Sequence, residues 1–303
     1  MKKIYVLEKF DFSSKQLKRL NALGDVIYYE KANEEQINEA VENADAILLD
    51  WIDPNKILCK MKKGQFICLP YTGVGWISKL SIAKQNGVII SNTPDYSTNA
   101  VAEHHLALIL DCAKHISYFN GLYKSGKQVG FCRGQEISGK KIGIIGLGKI
   151  GRRLAELLSI FGVEIVTFNR RHKNMANIKD VSLEELLSTC DIVCITCALN
   201  SQTRNLINLD ELRQMKHNAI LTSTTGGIIN LEDLNEFLKN NNLFGVALDD
   251  VDQQKVPKDL IARENFICTY HRAYDTDKSE SNRIDLCIDN IEAFLKGNPI
   301  NLI

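Results

Sequence analysis

Short apolar runs rich in β-branched residues recur along this chain, separated by segments whose apolar residues return every three or four positions. Few folds accommodate that rhythm. The first series is KIYVLE (3–8), DVIYYE (25–30), AILLD (46–50), FICLPY (66–71) and VIISN (88–92). The second is KIGIIG (141–146), EIVTFN (164–169), DIVCITC (191–197), AILTS (219–223), FGVALDD (244–250) and FICTY (266–270). Strands that alternate with helices build a parallel sheet covered by those helices. The expectation is therefore an α/β chain with two doubly wound parallel-sheet domains, which a length of 303 residues readily supplies. Between the two series, SNTPDYSTNAVAEHHLALILDCAKHISYF carries turn residues and then a long helix pattern that begins near Thr98. Its apolar positions are Val101, Leu106, Ile109, Leu110 and Ala113, and it is expected to cross between the domains. A last helix pattern runs from Lys278 through Phe294, ended by Gly297 and Pro299. No strand follows it, so it is expected to pack back on the first domain.

Lys plus Arg and Asp plus Glu both number 37, so no net field draws the protein to nucleic acid or to an anionic membrane, and a small-molecule partner fits better. The N-terminus has too few apolar residues before Glu8 for a signal peptide, and no run is long enough to span a bilayer; a cytoplasmic protein is expected. Nine cysteines is an odd number, and most, such as Cys68, Cys194 and Cys268, lie in strand-like runs as reduced thiols would. Cys194 and Cys197 are read as packing residues, because strand residues at that spacing point to opposite faces. His104 and His105 are read as packing or cleft-edge residues of the long helix, and no metal is expected.

The strongest chemical signal is KKIGIIGLGKIGRRLAELLSIFGVEIVTFNRR. Gly146, Gly148 and Gly151 follow an apolar strand and open a helix that Gly162 can end, and the next strand closes at Asn169. Strand, helix and strand at this spacing make a dinucleotide site. Gly146 permits the tight turn, Gly148 lets backbone N–H groups approach a pyrophosphate, and Gly151 lets the helix sit close to the sheet. A carboxylate closing the second strand would accept hydrogen bonds from the adenosine ribose and repel a 2′-phosphate. Here Asn169 stands there, followed by Arg170, Arg171 and His172. A charge-assisted hydrogen bond is worth about 1.5–3 kcal/mol, so the arginines point to NADP(H), with NAD(H) as second choice.

Four further stretches carry a resemblance: YTGVGW (71–76), NTPDYSTNAVAEHHLALIL (92–110), SLEELLSTCDIVCITCALNSQTRNLINLDELRQMKHNAIL (182–221) and GVALDD (245–250). With them the chain resembles the D-isomer-specific 2-hydroxyacid dehydrogenase family from Met1 to its end, although Ala198 stands where a proline is usual. The resemblance implies a flavodoxin-like substrate domain from residues 1–97 and 276–303, an inserted Rossmann cofactor domain from 98–275, a cleft between them and a homodimer formed through the cofactor domains. It implies that the backbone of Thr72, Gly73, Val74 and Gly75 holds a substrate carboxylate and that Asp249 meets the nicotinamide carboxamide. It also places Val101, Leu147, Lys149, Ile150, Cys197, Ala198, Thr203 and Thr224 at the cofactor. His271, in CTYHRAYDT, falls on the family's catalytic histidine, which lies beside the nicotinamide and donates a proton to the carbonyl oxygen of a 2-keto acid during hydride transfer. A donor near neutral pH is what that chemistry requires.

The other two members of the family's polar triad are missing. Thr225 occupies the place of the arginine that grips the substrate carboxylate, and Gln254, followed by Lys255, occupies that of the histidine's carboxylate partner. Asp252, on the same loop, is an alternative partner. Tyr270 replaces a proline, and Arg272, Tyr274 and Asp275 make the following positions bulky and polar. Three readings follow. The first is an NADP(H)-dependent oxidoreductase acting on a carbonyl or related group of a non-standard substrate, with Thr225, Gln254, Tyr270, Arg272 and Tyr274 as specificity residues. The second is a catalytically weak nucleotide-binding protein acting through a partner. The third is an ordinary slow 2-keto acid reductase in which Arg272 binds the carboxylate.

Overall fold

The computed structural model describes residues 1–128, 132–170, 175 and 178–303. They form two compact units, Met1–Ser97 with Thr276–Ile303, and Thr98–Asp275.

In the first unit β1 (Lys3–Val6), β2 (Asp25–Tyr28), β3 (Ala46–Leu48), β4 (Phe66–Leu69) and β5 (Ile89–Asn92) pair in parallel in the order β2-β1-β3-β4-β5, the flavodoxin-like arrangement. The central strands β3 and β4 are buried at every position, which is why they read as unbroken apolar runs. Helices α1 (Ser14–Asn21), α2 (Glu34–Asn43), α3 (Pro54–Leu58) and α4 (Leu80–Gln85) connect them. The first two begin at capping boxes, Ser13 with Gln16 and Asn33 with Gln36, and α3 at Asp53 followed by Pro54.

In the second unit, α5 (Thr98–Lys114) and α6 (Ile116–Lys124) precede β6 (Lys141–Ile145), α7 (Lys149–Ser159), β7 (Glu164–Phe168), the two-residue β8 (Lys179–Asp180) and α8 (Leu183–Thr189). Then come β9 (Ile192–Ile195), α9 (Leu209–Gln214), β10 (Ile220–Ser223), α10 (Leu231–Asn240), β11 (Gly245–Leu248), α11 (Lys258–Ile261) and β12 (Phe266–Cys268). The parallel sheet runs β12-β11-β10-β9-β6-β7-β8. The chain leaves β6 toward β7 on one side and returns through β9 on the other, so a crevice opens between the carboxyl ends of β6 and β9. The helix expected from Thr98 ends at Lys114, because His115 turns left-handed at φ +55°. It buries Val101, Ile109 and Ala113 as expected, leaves Leu106 and Leu110 half-covered, and also buries His105. Two details differ from the reading of the sequence. Strand β8 is too short to leave a pattern, and Cys268 is exposed because β12 is the sheet edge.

The last helix, α12 (Asp277–Leu295), belongs to the first unit. Ile284, Cys287, Ile288 and Ile291 pack with Ile4, Val6, Leu20 and Phe66, and Phe294 stacks on Phe66 at 4.7 Å. The tail then returns to the sheet edge, where Ile303 donates to the carbonyl of Ile90 and Asn92 to that of Asn301. One charged group of α12 is buried with its partners. Arg283 reaches both carboxylate oxygens of Asp50, at 2.5 and 3.0 Å, and both of Glu280, at 2.8 Å each. Asp50 lies just past β3, and its backbone carbonyl accepts the Tyr71 hydroxyl. Among the described residues no helix is long and apolar enough to cross a membrane.

Candidate active site

The glycine loop sits at the carboxyl end of β6. Gly146 is left-handed at φ +102°, and a Cβ on Gly151 would stand 2.3 Å from the Gly146 carbonyl, so only glycines let α7 start this close to the strand. A Cβ on Gly148, in contrast, would meet open space. Gly148 is the N-cap of the 11-residue α7, which begins with Lys149 and Ile150, and makes no side-chain cap hydrogen bond. Such a terminus attracts an anion, and the residues present fit a dinucleotide pyrophosphate. The loop is braced from both flanks. The Leu147 N–H donates to Asn169 Oδ1 at 2.6 Å, while Thr196 Oγ1 donates to the Gly146 carbonyl at 2.6 Å.

Asn169 thus ties the end of β7 to the glycine loop, and its amide also donates to Asp180 at 3.2 Å. Arg170 reaches from there to Gln202 in the loop after β9. Arg171 and His172 lie outside the described residues. Across the crevice, Cys197 packs on Gly146, and burial pushes its thiol up to about 11, as it pushes that of Cys194 up to about 12. Both are protonated packing groups. Thr203 Oγ1 donates to the Ala198 carbonyl at 2.8 Å and accepts the Asn200 N–H at 2.8 Å, which shapes the loop carrying Ala198. Val101 is buried on α5.

Three turns converge at the ends of β10, β11 and β12. After β10, Ser223 Oγ accepts the Thr225 N–H at 3.2 Å and donates to the Thr225 carbonyl at 2.9 Å, a local turn that holds Thr225 half-exposed. Just past β11 come two aspartates with opposite fates, as alternation along a strand dictates. Asp249 is fully buried. Its carboxylate accepts from Thr269 Oγ1 at 2.6 Å, the Arg272 N–H at 2.8 Å and the Ala273 N–H at 3.0 Å, so it anchors the loop that carries His271. Asp250 faces the other way. Its Oδ1 is 3.0 Å from His271 Nδ1 and its Oδ2 accepts the Gly226 N–H at 3.1 Å.

His271 itself is left-handed at φ +52°, a conformation histidine adopts more readily than most residues. Its N–H donates to the Asp249 carbonyl at 2.8 Å, and its ring packs edge-on against Tyr274 at 5.4 Å. The bond to Asp250 raises the imidazole's proton affinity and holds the Asp250 carboxyl below its usual range. The protonated, donor form of His271 therefore persists to higher pH. Gln254 takes no part in this pair. It lies in an exposed 3-10 turn, Gln253–Lys255, where Asp252 accepts the Gln254 N–H at 3.1 Å and pairs with Lys255 at 3.1 Å. Asp252 is thus engaged in forming the turn, and Gln254 enters it through its backbone N–H. Tyr270 is exposed, with its hydroxyl 3.3 Å from Gln253. The Arg272 guanidinium pairs with Asp275 at 2.6 Å.

Behind these turns stand the two histidines of α5, read from the sequence as packing or cleft-edge residues. His104 Nε2 lies 3.0 Å from Thr269 Oγ1. His105 is fully buried, with Nε2 2.6 Å from Thr222 Oγ1 and Nδ1 3.5 Å from Thr224 Oγ1, and burial lowers its pKa to about 3. As a neutral ring it can accept from one threonine and donate to the other, fixing α5 to the end of β10. Among the described residues no group of His, Cys, Asp and Glu could hold a metal. In the first unit, the loop after β4 exposes Thr72, Gly73 and Gly75 and half-covers Val74. It is held by Thr72 Oγ1 on the Thr93 carbonyl at 3.1 Å, Asn92 on the Thr72 carbonyl at 3.0 Å and Trp76 on the Gly73 carbonyl at 3.2 Å.

Comparison with known proteins adds an independent line. The family described as "D-isomer specific 2-hydroxyacid dehydrogenase, NAD binding domain" matches residues 106–273. A hydroxypyruvate reductase of Blautia hydrogenotrophica is 28% identical over 99% of each chain. A glyoxylate reductase of Thermofilum pendens is 32% identical over 71% of this chain and 67% of that one. Among solved structures, an acyclic imino acid reductase in complex with NADPH and D-Arg superposes with a TM-score of 0.88, at 27% identity and over 100% of both chains.

Proposed function

This chain belongs to the D-isomer-specific 2-hydroxyacid dehydrogenase family and is an oxidoreductase acting on CH–OH/C=O groups with a nicotinamide cofactor, and from that premise we propose that it is an NADP(H)-dependent reductase of a carbonyl or imine carbon in a substrate other than an ordinary small 2-keto acid. The observation that carries the proposal is Thr225 at the turn after β10, a hydroxyl where a guanidinium would grip a carboxylate, while Arg272 on the His271 loop pairs with Asp275. A keto acid presents an anion to be gripped and a neutral carbonyl to be polarised, and a cation serves both needs. The imine of a keto acid keeps the carboxylate, but once its nitrogen has taken the proton from His271 its carbon is cationic and accepts the hydride without further polarisation. A neutral hydroxyl beside the Asp250 carboxylate suits it better than an arginine would. The similarity to an acyclic imino acid reductase supports the same direction.

When bound, the nicotinamide supplies a hydride to the substrate carbon. His271 holds the proton for the heteroatom, and Asp249 fixes the loop that presents it. NADP(H) is favoured by Asn169 in place of a carboxylate and by Arg170 at the crevice. Arg170→Ala is expected to weaken NADPH binding about tenfold and to leave NADH binding little changed; equal losses for both in a titration would count against the 2′-phosphate role. A nucleotide-binding protein without turnover is disfavoured by the intact Asp250–His271 pair. A homodimer is part of the proposal.

The test is a panel in which NADPH oxidation is followed with glyoxylate, pyruvate or hydroxypyruvate, each alone and each with ammonium or a primary amine to form the imine. Turnover that depends on the amine supports the proposal. Keto acids turned over equally well alone would overturn the imine assignment. Thr225→Arg is expected to raise keto-acid reduction at least about tenfold, since a preorganised donor is commonly worth about 10²–10³ in rate.

A further inference from the structure

The reductase reading, on which this inference rests, leaves His271 without the carboxylate partner that sequence position would assign. We propose that Asp250 is the positioning residue of His271 and that its second oxygen, held on the Gly226 amide, locks the ring in register with the turn that carries Thr225.

The geometry divides the carboxylate between two tasks. Oδ1, at 3.0 Å from Nδ1, keeps the ring proton on that nitrogen and leaves Nε2 as the atom that gives or takes the catalytic proton. Oδ2, at 3.1 Å from the Gly226 N–H, prevents the carboxylate from swinging away with the imidazole. The Asp250 backbone reinforces the lock. A Cβ on Gly226 would stand 2.0 Å from the Asp250 carbonyl, so this glycine is required by close approach and not by its own φ. The two turns interlock at that point, and a small concavity lined by Ser223, Thr225, Gly226, Leu248, Asp250 and Val251 lies beside them.

The other charges near His271 do not compete for this role. Asp249, on the same strand end, shares its negative field but is saturated by Thr269 and two backbone N–H groups. Arg272, on the histidine's own loop, opposes protonation but is paired with Asp275. Asp252 is held by Lys255, and Tyr274 meets the ring through its edge. From α5, His104 lies 3.5 Å from Asp249 and bonds to Thr269, not to Asp250.

The deciding measurement is the NMR titration of the His271 ring in the intact chain, which needs no substrate. Asp250→Asn keeps the size of the side chain and an acceptor for Gly226, and is expected to lower the His271 pKa by about one unit. Asp250→Glu is expected to restore most of the shift, and Asp252→Asn to leave the titration in place. In a turnover assay the pH above which kcat falls should move down with the same variant, while KM for NADPH stays within about twofold of the original, as expected for a residue that acts through another. Gly226→Ala is expected to lower the His271 pKa as Asp250→Asn does; should Asp250→Asn fail to fold, this variant and Asp250→Glu carry the test. A His271 titration indifferent to Asp250 in folded protein overturns the inference. If the titration responds but no compound in the panel oxidises NADPH, only the reductase reading fails.

Discussion

Replacing His271 with alanine is expected to lower kcat about 10²–10⁴-fold, the range over which a positioned general acid acts. Three features of the structure concentrate that effect on one side chain. The Asp249 carboxylate pins the loop through the Arg272 and Ala273 N–H groups. The left-handed backbone at φ +52° sets the ring's direction, and Asp250 raises its proton affinity and fixes its tautomer. Because the pKa is raised in the folded protein, the donor form persists to higher pH than in a free imidazole and is lost as pH rises through that raised value. The wild-type kcat should fall on the alkaline side of its profile, and His271→Ala should abolish that limb together with the rate. Steady-state rates from pH 5 to 9 on a substrate identified in the imine panel check both. A variant that keeps the full rate removes His271 from the mechanism.

The second large effect concerns the first unit. Arg283→Met is expected to cost about 3–5 kcal/mol of stability, because it leaves the Asp50 carboxylate buried beside Glu280 without its cation. The guanidinium side chain and that of Asp50 are each only 9% exposed, so water cannot replace the lost partner. The consequence reaches the loop after β4, since Tyr71 at its start bonds to the Asp50 backbone and Glu8 accepts the N–H groups of Asp50 and Ile52 at 2.7 and 2.9 Å. The double variant Asp50→Asn with Arg283→Met should lose less than the single one, because no uncompensated charge remains at position 50. Urea unfolding of the three proteins measures this. A single-variant loss under about 1 kcal/mol would mean that the cluster does not hold α12 in place.

Much of the fold was legible because it depends on local pattern. All eleven runs marked as strands lie on observed strands, and α12 returns to the first unit because an amphipathic helix with no strand to feed must cover its apolar face on one already built. The Gly146–Gly151 loop was legible for the same reason, since turn, approach and helix start all fall within a few residues. Less of the active site could be read. Gln254 and Asp252 were the natural partners for His271 by position, but a short 3-10 turn consumes the local acceptor of Asp252 and keeps Gln254 on the surface. The one available clue was the pair of adjacent aspartates closing β11, because a strand must send them to opposite sides.

The sequence alone determined the two doubly wound sheets and the glycine loop, which rest on periodicity and on the identity of single residues, while the place of Thr225 was given by the family resemblance. Only the tertiary structure decided which carboxylate pairs with His271 and what the buried His105 and Arg283 bond to. Those pairings join residues 21 apart for Asp250 and His271, 117 for His105 and Thr222, and 233 for Asp50 and Arg283. A hydrogen bond requires a few tenths of an ångström of agreement between atoms, and that agreement is set by how whole elements pack, not by any spacing along the chain.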